Sequence, residues 1–169
     1  MERQITHALY CPEIGGILKG FDDYVSLLQI CTKKQDLVQG RYGHANLIID
    51  NMKHQILDNI LLNMYAKCGM LIKAQKVFDK LPARDVVSWN ALIAGYCDFG
   101  FGNESLVCFE EMEKRGIFLS IGTFVSALKA CSISGLRKKG EEIHSDALKK
   151  GLEKNVIVDN VLIDMYVKC

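Results

Sequence analysis

Apolar residues recur along this chain at the spacing of short amphipathic helices. Between residues 86 and 120, two apolar faces follow one another, each spaced as one side of a helix with 3.6 residues per turn. The pattern therefore predicts two short helices in this stretch. Its first face consists of Trp89, Leu92, Ile93 and Tyr96, and its second of Leu106, Phe109 and Met112.

Glycines and charges predict where these two helices end. Gly100 and Gly102 follow the first apolar face and are expected to stop the first helix. Gly116 follows the second face, at a position where glycine commonly ends a helix. Acidic residues dominate the early turns of this second helix, and Lys114 and Arg115 occupy its last turn, an order that suits the helix dipole.

The same kind of pattern is repeated after about a hundred residues. Residues 24–40 (YVSLLQICTKKQDLVQG) resemble residues 124–140 (FVSALKACSISGLRKKG), at an offset of 100. DNILLNMYAKC, ending at Cys68, resembles DNVLIDMYVKC, ending at Cys169, at an offset of 101. The predicted divisions are an irregular lead-in over residues 1–20, four helix-pair units over 21–54, 55–85, 86–120 and 121–155, and a unit over 156–169 that has only its first helix.

Units of this length cannot bury their apolar faces alone, so stacked neighbours must cover one another. The sequence therefore predicts an all-α solenoid of stacked antiparallel helix pairs, with the first helices lining its concave surface. Because no second helix follows Cys169, we expect a fragment of a longer protein with one apolar face uncovered.

Composition narrows the possible functions. With 21 basic and 20 acidic residues, the net charge of +1 gives no global signal for nucleic acid or for an anionic membrane. No run of 18 apolar residues could span a membrane, and residues 1–20 lack the apolar core of a signal peptide. The seven cysteines include no C-x-x-C pair, which favours reduced thiols over a disulfide framework.

No motif for catalysis or metal binding is present. The chain has no Gly-rich phosphate loop, no G-x-S-x-G and no H-x-E followed by C-x-x-C. The recurring His44 and His144, with Cys31 and Cys131, supply too few ligands per unit for a structural zinc and are expected to pack between helices. We therefore expect no enzymatic activity, no cofactor, no metal and no small-molecule substrate.

Several motifs at consistent spacing resemble the pentatricopeptide repeat family, specifically its plant-type arrays of ordinary, long and short units. VVSWNALIAGY with EEMEKRGI resembles the ordinary unit. NILLNMYAKCGMLIKAQKVFDKLPARD resembles the short unit, and FVSALKACSISGLRKKGEEIH the long unit. Over residues 21–169 the order is long, short, ordinary, long, short. The resemblance implies a right-handed solenoid and a mitochondrial or chloroplast location, although residues 1–20 show no clear targeting peptide.

The resemblance also implies binding of single-stranded RNA, one base per unit, read by the fifth and the last residue of a unit. The second residue of each unit would sandwich the base. By the family's pattern, the second unit favours uridine, the third cytidine and the fifth a pyrimidine, which gives 5′-N-U-C-N-Y-3′. The implied base-reading residues are Asn59 with Asp85, Asn90 with Ser120, and Asn160, and the implied sandwiching residues are Ile56, Val87 and Ile157.

The two long units depart from this pattern. Their fifth residues, Val25 and Val125, cannot hydrogen-bond a base, and their second residues, Asp22 and Gly122, provide no apolar wedge. With His54 and Asn155 as their last residues, these units are expected to read weakly or to act as spacers.

Simpler interpretations of these residues stay open at the level of sequence. Asn59, Asn90 and Asn160 lie near helix starts, where asparagine is a common N-cap. Asp85 and Ser120 lie in predicted turns, where both residue types are frequent for backbone reasons. Trp89 and Phe109 are expected in the core. The basic runs Lys33-Lys34, Arg137-Lys138-Lys139 and Lys149-Lys150 are expected to be solvated faces or phosphate contacts.

The leading functional hypothesis is an RNA-binding module of an organellar RNA editing or processing factor. Editing cofactors, or a deaminase domain acting in trans, would then be further partners. The alternative is a protein-binding helical-repeat scaffold like the tetratricopeptide arrays. The recurring Asn at the fifth position beside an apolar second residue separates the two hypotheses, because a protein-binding groove has no reason to repeat it.

Overall fold

The computed structural model describes residues 10–11, 16–17, 20–152 and 155–169, and helices make up most of this part of the chain. The helices are α1 (Phe21–Lys34), α2 (Leu37–Ile49), α3 (Gln55–Lys67), α4 (Leu71–Lys80), α5 (Val86–Asp98), α6 (Gly102–Lys114), α7 (Ile121–Ser134), α8 (Arg137–Lys149) and α9 (Val156–Lys168).

These helices stack as two rows. Each odd-numbered helix packs against the next odd-numbered helix, so α1, α3, α5, α7 and α9 form one continuous row. Each even-numbered helix packs between its own first helix and the first helix of the next unit. One apolar core runs along the whole stack, as the amphipathic pattern predicted. The predicted all-α helical-repeat solenoid is therefore confirmed.

The starts of the first helices α3, α5, α7 and α9 follow from local capping by side chains. Asp85 accepts a hydrogen bond from the Ser88 backbone N–H at 2.9 Å, and Ser120 accepts one from Thr123 at 3.2 Å. His54 and Asn155 cap α3 and α9 in the same way. The last residue of each complete sequence unit is therefore the N-cap of the next helix. In two units, those ending at Asp85 and Ser120, the side chain of this residue also bonds the fifth residue of its own unit.

The repeated MYxKC motif lies in a first helix and packs against the second helix of the preceding unit. A Cβ at Gly40 would lie 2.5 Å from the Met64 Sδ, so the close packing of this methionine on α2 depends on the absence of a side chain at residue 40. Next to it, His44 Nδ1 and the Tyr65 hydroxyl are 2.8 Å apart. The contact recurs between Gly140 and Met165 and between His144 and Tyr166. The expected packing role of the two histidines is thus confirmed.

Glycines also account for one incorrect prediction. Gly100 lies in the turn after α5, with φ +82°, but Gly102 is the first residue of α6 and does not stop α5. A Cβ at Gly102 would lie 2.7 Å from the Ala130 carbonyl oxygen in α7. This glycine is therefore required by the approach of the next unit. Gly116, with φ +66°, follows α6 as predicted.

Two further features complete the fold. Trp89 and Phe109 are each 2% exposed, which confirms their predicted place in the core. Tyr10–Cys11 and Gly16–Ile17 form a two-residue antiparallel pair that the pattern did not predict, while the rest of the predicted lead-in before Gly20 lies outside the described residues. Within the described ranges, no helix has the length and apolar character needed to cross a membrane.

Candidate nucleic-acid interface

Predicted reading residues from two neighbouring units, Asn59, Asp85 and Asn90, line one open groove. It lies between the first helices α3 and α5 and encloses a volume of about 650 Å³. Its walls include Ile56, Asn59, Asp85, Val87 and Asn90, which the family resemblance implied as reading or sandwiching residues. Ile56 is 52% and Val87 59% exposed, so two apolar side chains stand free on either side of the Asn59 position.

Asn59 and Asp85 contact each other across the length of their unit. The Asn59 Nδ2 donates to the Asp85 carboxylate, at 3.1 Å from Oδ2 and 3.4 Å from Oδ1. The Asn59 Oδ1 is buried and has no hydrogen-bond partner within the described residues. A buried acceptor without a donor is unfavourable by about 1–3 kcal/mol, so this carbonyl oxygen would gain from an N–H group that reaches it.

The Asp85 carboxylate is held in its charged form by its donors. Burial alone would raise its pKa, but hydrogen bonds from Ser88, Asn59 and Gln55 outweigh burial and keep the pKa below its usual value. The Gln55 Nε2 lies 3.2 Å from Oδ2. Asp85 is therefore both a helix cap and a charged acceptor that orients the Asn59 amide.

Asn90 and Ser120 are also in contact, with a different partner beside them. The Asn90 Nδ2 donates to the Ser120 Oγ at 3.1 Å. The Asn90 Oδ1 accepts from the Thr123 hydroxyl at 2.6 Å, and the Ser120 and Thr123 hydroxyl oxygens are 2.9 Å apart. Both the nitrogen and the oxygen of the Asn90 amide are therefore hydrogen-bonded, whereas only the nitrogen of the Asn59 amide is.

The structure decides against asparagine N-caps at the first two reading positions. Asn59 and Asn90 are each the fifth residue of their helix, and the caps are the preceding residues His54 and Asp85. Asn160 holds the equivalent place in α9, where Asn155 is the cap. It is exposed beside the 61% exposed Ile157.

The long units lack these side-chain contacts. Val25 and Val125 are partly buried and pack against the core. His54 accepts from the Ile56 backbone N–H at 3.2 Å, and Asn155 accepts from those of Ile157 and Val158. Their last residues are thus helix caps with no bond to a fifth residue, in keeping with the predicted split between reading and spacing units.

Gly122 leaves one side of the Asn90 position open. It is exposed in the first turn of α7, and a Cβ built there would meet only the Ser120 Oγ, at 3.7 Å. A base next to Asn59 would lie between Ile56 and Val87, whereas a base next to Asn90 would have Val87 alone.

Basic residues and metal ligands add little to this surface. Lys139 pairs with Glu110 at 2.9 Å, and Lys149 with Asp146 at 2.8 Å, so carboxylates already neutralise part of the predicted basic runs. Among the described residues, no group of His, Cys, Asp or Glu could hold a metal ion.

Two site residues escaped the sequence analysis. Gln55 is the first residue of the unit over 55–85 and Thr123 the third residue of the unit over 121–155, and neither position was considered. A search for hydroxyl side chains close to each last residue would have found Thr123, because residues within three positions of an N-cap lie beside it. Gln55 contacts Asp85 across 30 residues, which no local pattern indicates.

The chain matches two repeat models and many plant proteins. Residues 84–133 match a model described as PPR repeat family, and residues 59–86 match one described as PPR repeat. A putative pentatricopeptide repeat-containing protein of Arabidopsis thaliana is 42% identical over 146 residues, 86% of this chain and 21% of the relative. A mitochondrial one is 38% identical over 86% of this chain and 23% of its own length. A chloroplastic pentatricopeptide repeat-containing protein of the same plant is 34% identical over 85% of this chain and 24% of its own length.

Solved structures of low identity share the fold. The crystal structure of the pentatricopeptide repeat protein PPR10 with an 18-nt psaJ RNA element has a TM-score of 0.76 at 22% identity, over 89% of this chain and 23% of that one. The crystal structure of nuclear proteinaceous RNase P 2 of A. thaliana has a TM-score of 0.58 at 14% identity, over 78% of this chain and 31% of that one.

The chain spans about a fifth to a quarter of the length of these Arabidopsis relatives. The model matches, the relatives and the stacked helix pairs together identify residues 59–133 as pentatricopeptide repeats.

Proposed function

We propose that this chain binds single-stranded RNA and reads one base at each of its reading units. The observation that carries the proposal is a repeated contact: the fifth residue of a unit hydrogen-bonds the last residue of the same unit at the edge of a groove. It occurs between Asn59 and Asp85 and between Asn90 and Ser120. Exposed Ile56 and Val87 stand beside these amides, where flat bases can pack on them.

Pyrimidines are the bases proposed at these positions. An asparagine amide both donates and accepts, so it can meet the Watson–Crick edge of a base. Following the resemblance, the Asn59 and Asp85 pair favours uridine, the Asn90 and Ser120 pair favours cytidine, and Asn160 favours a pyrimidine. The proposed target is 5′-N-U-C-N-Y-3′, with the divisions at residues 21, 55, 86, 121 and 156 as the register.

The biological setting is an organellar RNA editing or processing factor. The names of two relatives place those proteins in the mitochondrion and in the chloroplast. In this setting the chain positions a transcript, and the chemistry is carried out by an editing cofactor or a deaminase domain. The test is a selection from random RNA with the 169-residue chain, where enrichment of adjacent U and C is expected. Absence of any RNA binding would favour the protein-binding scaffold.

Replacing Asp85 with serine tests the reading role of a last residue. Serine also caps helices, so α5 is expected to persist, while the pair at Asn59 becomes the same as the pair at Asn90. We expect the preference at this base to move from uridine to cytidine, changing the ratio of the two affinities by about tenfold, or about 1.4 kcal/mol. Fluorescence anisotropy with RNAs differing only at that base measures the ratio.

The matched control is Ser120→Asp, which makes the reverse exchange at Asn90. It is expected to move the preference at the next base from cytidine to uridine. If both variants fold, as judged by circular dichroism, and neither preference moves, the last residues act only as caps.

Replacing Gly122 with valine tests the sandwiching role of second residues. The new side chain faces open space in this structure, so it would complete the missing wall beside Asn90. We expect RNA binding to tighten about fourfold for each methylene-sized group buried against the base, which contributes about 0.8 kcal/mol. The measurement is equilibrium binding to the UC-containing RNA. Gly20→Val, also in open space but outside the groove, should leave the affinity unchanged.

A further inference from the structure

The two reading asparagines differ in one contact that lies outside the fifth and last residues. Thr123, the third residue of the following unit, is fully buried and donates its hydroxyl proton to the Asn90 Oδ1 at 2.6 Å. The residue at the same place in the preceding unit is Ser88. Its hydroxyl donates to the Asp85 backbone carbonyl at 2.8 Å and does not bond Asn59.

Counting protons shows that Asn90, Ser120 and Thr123 form a closed ring of hydrogen bonds. Thr123 has one hydroxyl proton, which goes to Asn90, so the Ser120 hydroxyl must be the donor between the two hydroxyls. Ser120 in turn accepts from the Asn90 Nδ2. Each member both donates and accepts, and such chains strengthen their own bonds through polarisation.

The ring fixes which group Asn90 presents to the groove. One N–H of its amide is bound to Ser120, and its carbonyl oxygen is bound to Thr123 at a short distance. The second N–H remains, and it is a stronger donor because the carbonyl already accepts a hydrogen bond. Asn90 is therefore held as a donor toward a base.

This orientation distinguishes the two pyrimidines. Their Watson–Crick edges differ at N3, which is an acceptor in cytosine and carries a proton in uracil. A fixed donor satisfies cytosine N3 and opposes the N–H of uracil. At Asn59 the carbonyl oxygen has no partner within the described residues, so it is still available to accept the N–H of uracil.

We propose that Thr123 is a specificity-determining residue, which selects cytidine over uridine at the third unit by fixing the Asn90 amide. The proposal rests on the proposed function, since it concerns the base read at the same site. It predicts that the third residue of a following unit strengthens the preference for cytidine that the last residue sets, when its hydroxyl reaches the reading asparagine.

The experiment compares Thr123→Val with the unaltered chain. Valine keeps the buried shape and replaces the hydroxyl by a methyl group, so the carbonyl of Asn90 is released, together with the Ser120 groups that bond the same hydroxyl. With RNAs that carry C or U at the base facing Asn90, we expect the C-over-U affinity ratio to fall at least fivefold. The U-over-C ratio at the base facing Asn59 should stay unchanged.

Three further measurements keep the proposal falsifiable. Thr123→Ser, which retains the hydroxyl, should restore the ratio, and Ser88→Ala should not change the ratio at Asn59. In RNA-free protein, the Asn90 side-chain amide signals in an NMR spectrum should shift in Thr123→Val and return in Thr123→Ser. An unaltered chain that prefers cytidine, with a Thr123→Val variant that prefers it equally, would overturn the proposal. An unaltered chain without base preference would instead overturn the proposed function.

Discussion

Replacing both Asn59 and Asn90 with alanine is expected to weaken binding of a UC-containing RNA by roughly 5- to 150-fold. Each amide that hydrogen-bonds a base contributes about 0.5–1.5 kcal/mol, so two contribute about 1–3 kcal/mol. Neither residue is a helix cap, and alanine is a good helix former, so α3 and α5 should be retained. Equilibrium binding by fluorescence anisotropy measures the loss.

Asn63→Ala provides the matched control for this loss. Asn63 lines the same groove, one helical turn further along α3 than Asn59, and lies outside the reading register. Its replacement should change the affinity less than twofold. If Asn63→Ala and Asn59→Ala weakened binding equally, the fifth residue would have no special role, and the register would be wrong.

Replacing Gly102 with alanine is expected to destabilise the stack between the third and fourth units by about 1–3 kcal/mol. The added Cβ would lie 2.7 Å from the Ala130 carbonyl oxygen and 3.2 Å from the Ile133 Cβ. A backbone atom of a packed helix cannot move aside as a flexible side chain can, so α6 and α7 must separate. Urea unfolding followed by circular dichroism measures the change.

Gly122→Ala is the control for this substitution. Gly122 is also in the first turn of a helix, but its Cβ would meet only the Ser120 Oγ at 3.7 Å. Alanine there should be neutral or stabilising by up to about 1 kcal/mol, because glycine is the weaker helix former. Equal loss of stability in both variants would show that the contact with the Ala130 carbonyl oxygen does not account for the Gly102 result.

Local patterns predicted the helices well but misplaced some of their ends. The apolar pattern by itself predicts first helices over about Tyr24–Thr32 and Asp58–Lys67, whereas the structure has Phe21–Lys34 and Gln55–Lys67. The missed residues are the first turn, where amphipathicity is weak and the start is set by a cap. Gly102 was misjudged for a related reason: its role depends on a carbonyl in the next unit, which periodicity cannot show.

The sequence by itself determined the helical architecture and the repeat spacing of this protein. Apolar spacing selects which face of each helix is buried, and the side chains of Asp85 and Ser120 cap the helices that follow them. Both effects depend on residues that are close together in the chain, so they can be predicted from the local sequence.

Only the tertiary structure decided which side chains meet in the groove. Asn59 and Asp85 are 26 residues apart and Asn90 and Ser120 are 30 apart, and they touch because α3, α5 and α7 stack side by side. The same stacking brings Thr123 to the Asn90 carbonyl, which leaves one asparagine fully bonded and the other not. Such contacts depend on the offset between stacked helices, which the packing of whole units sets.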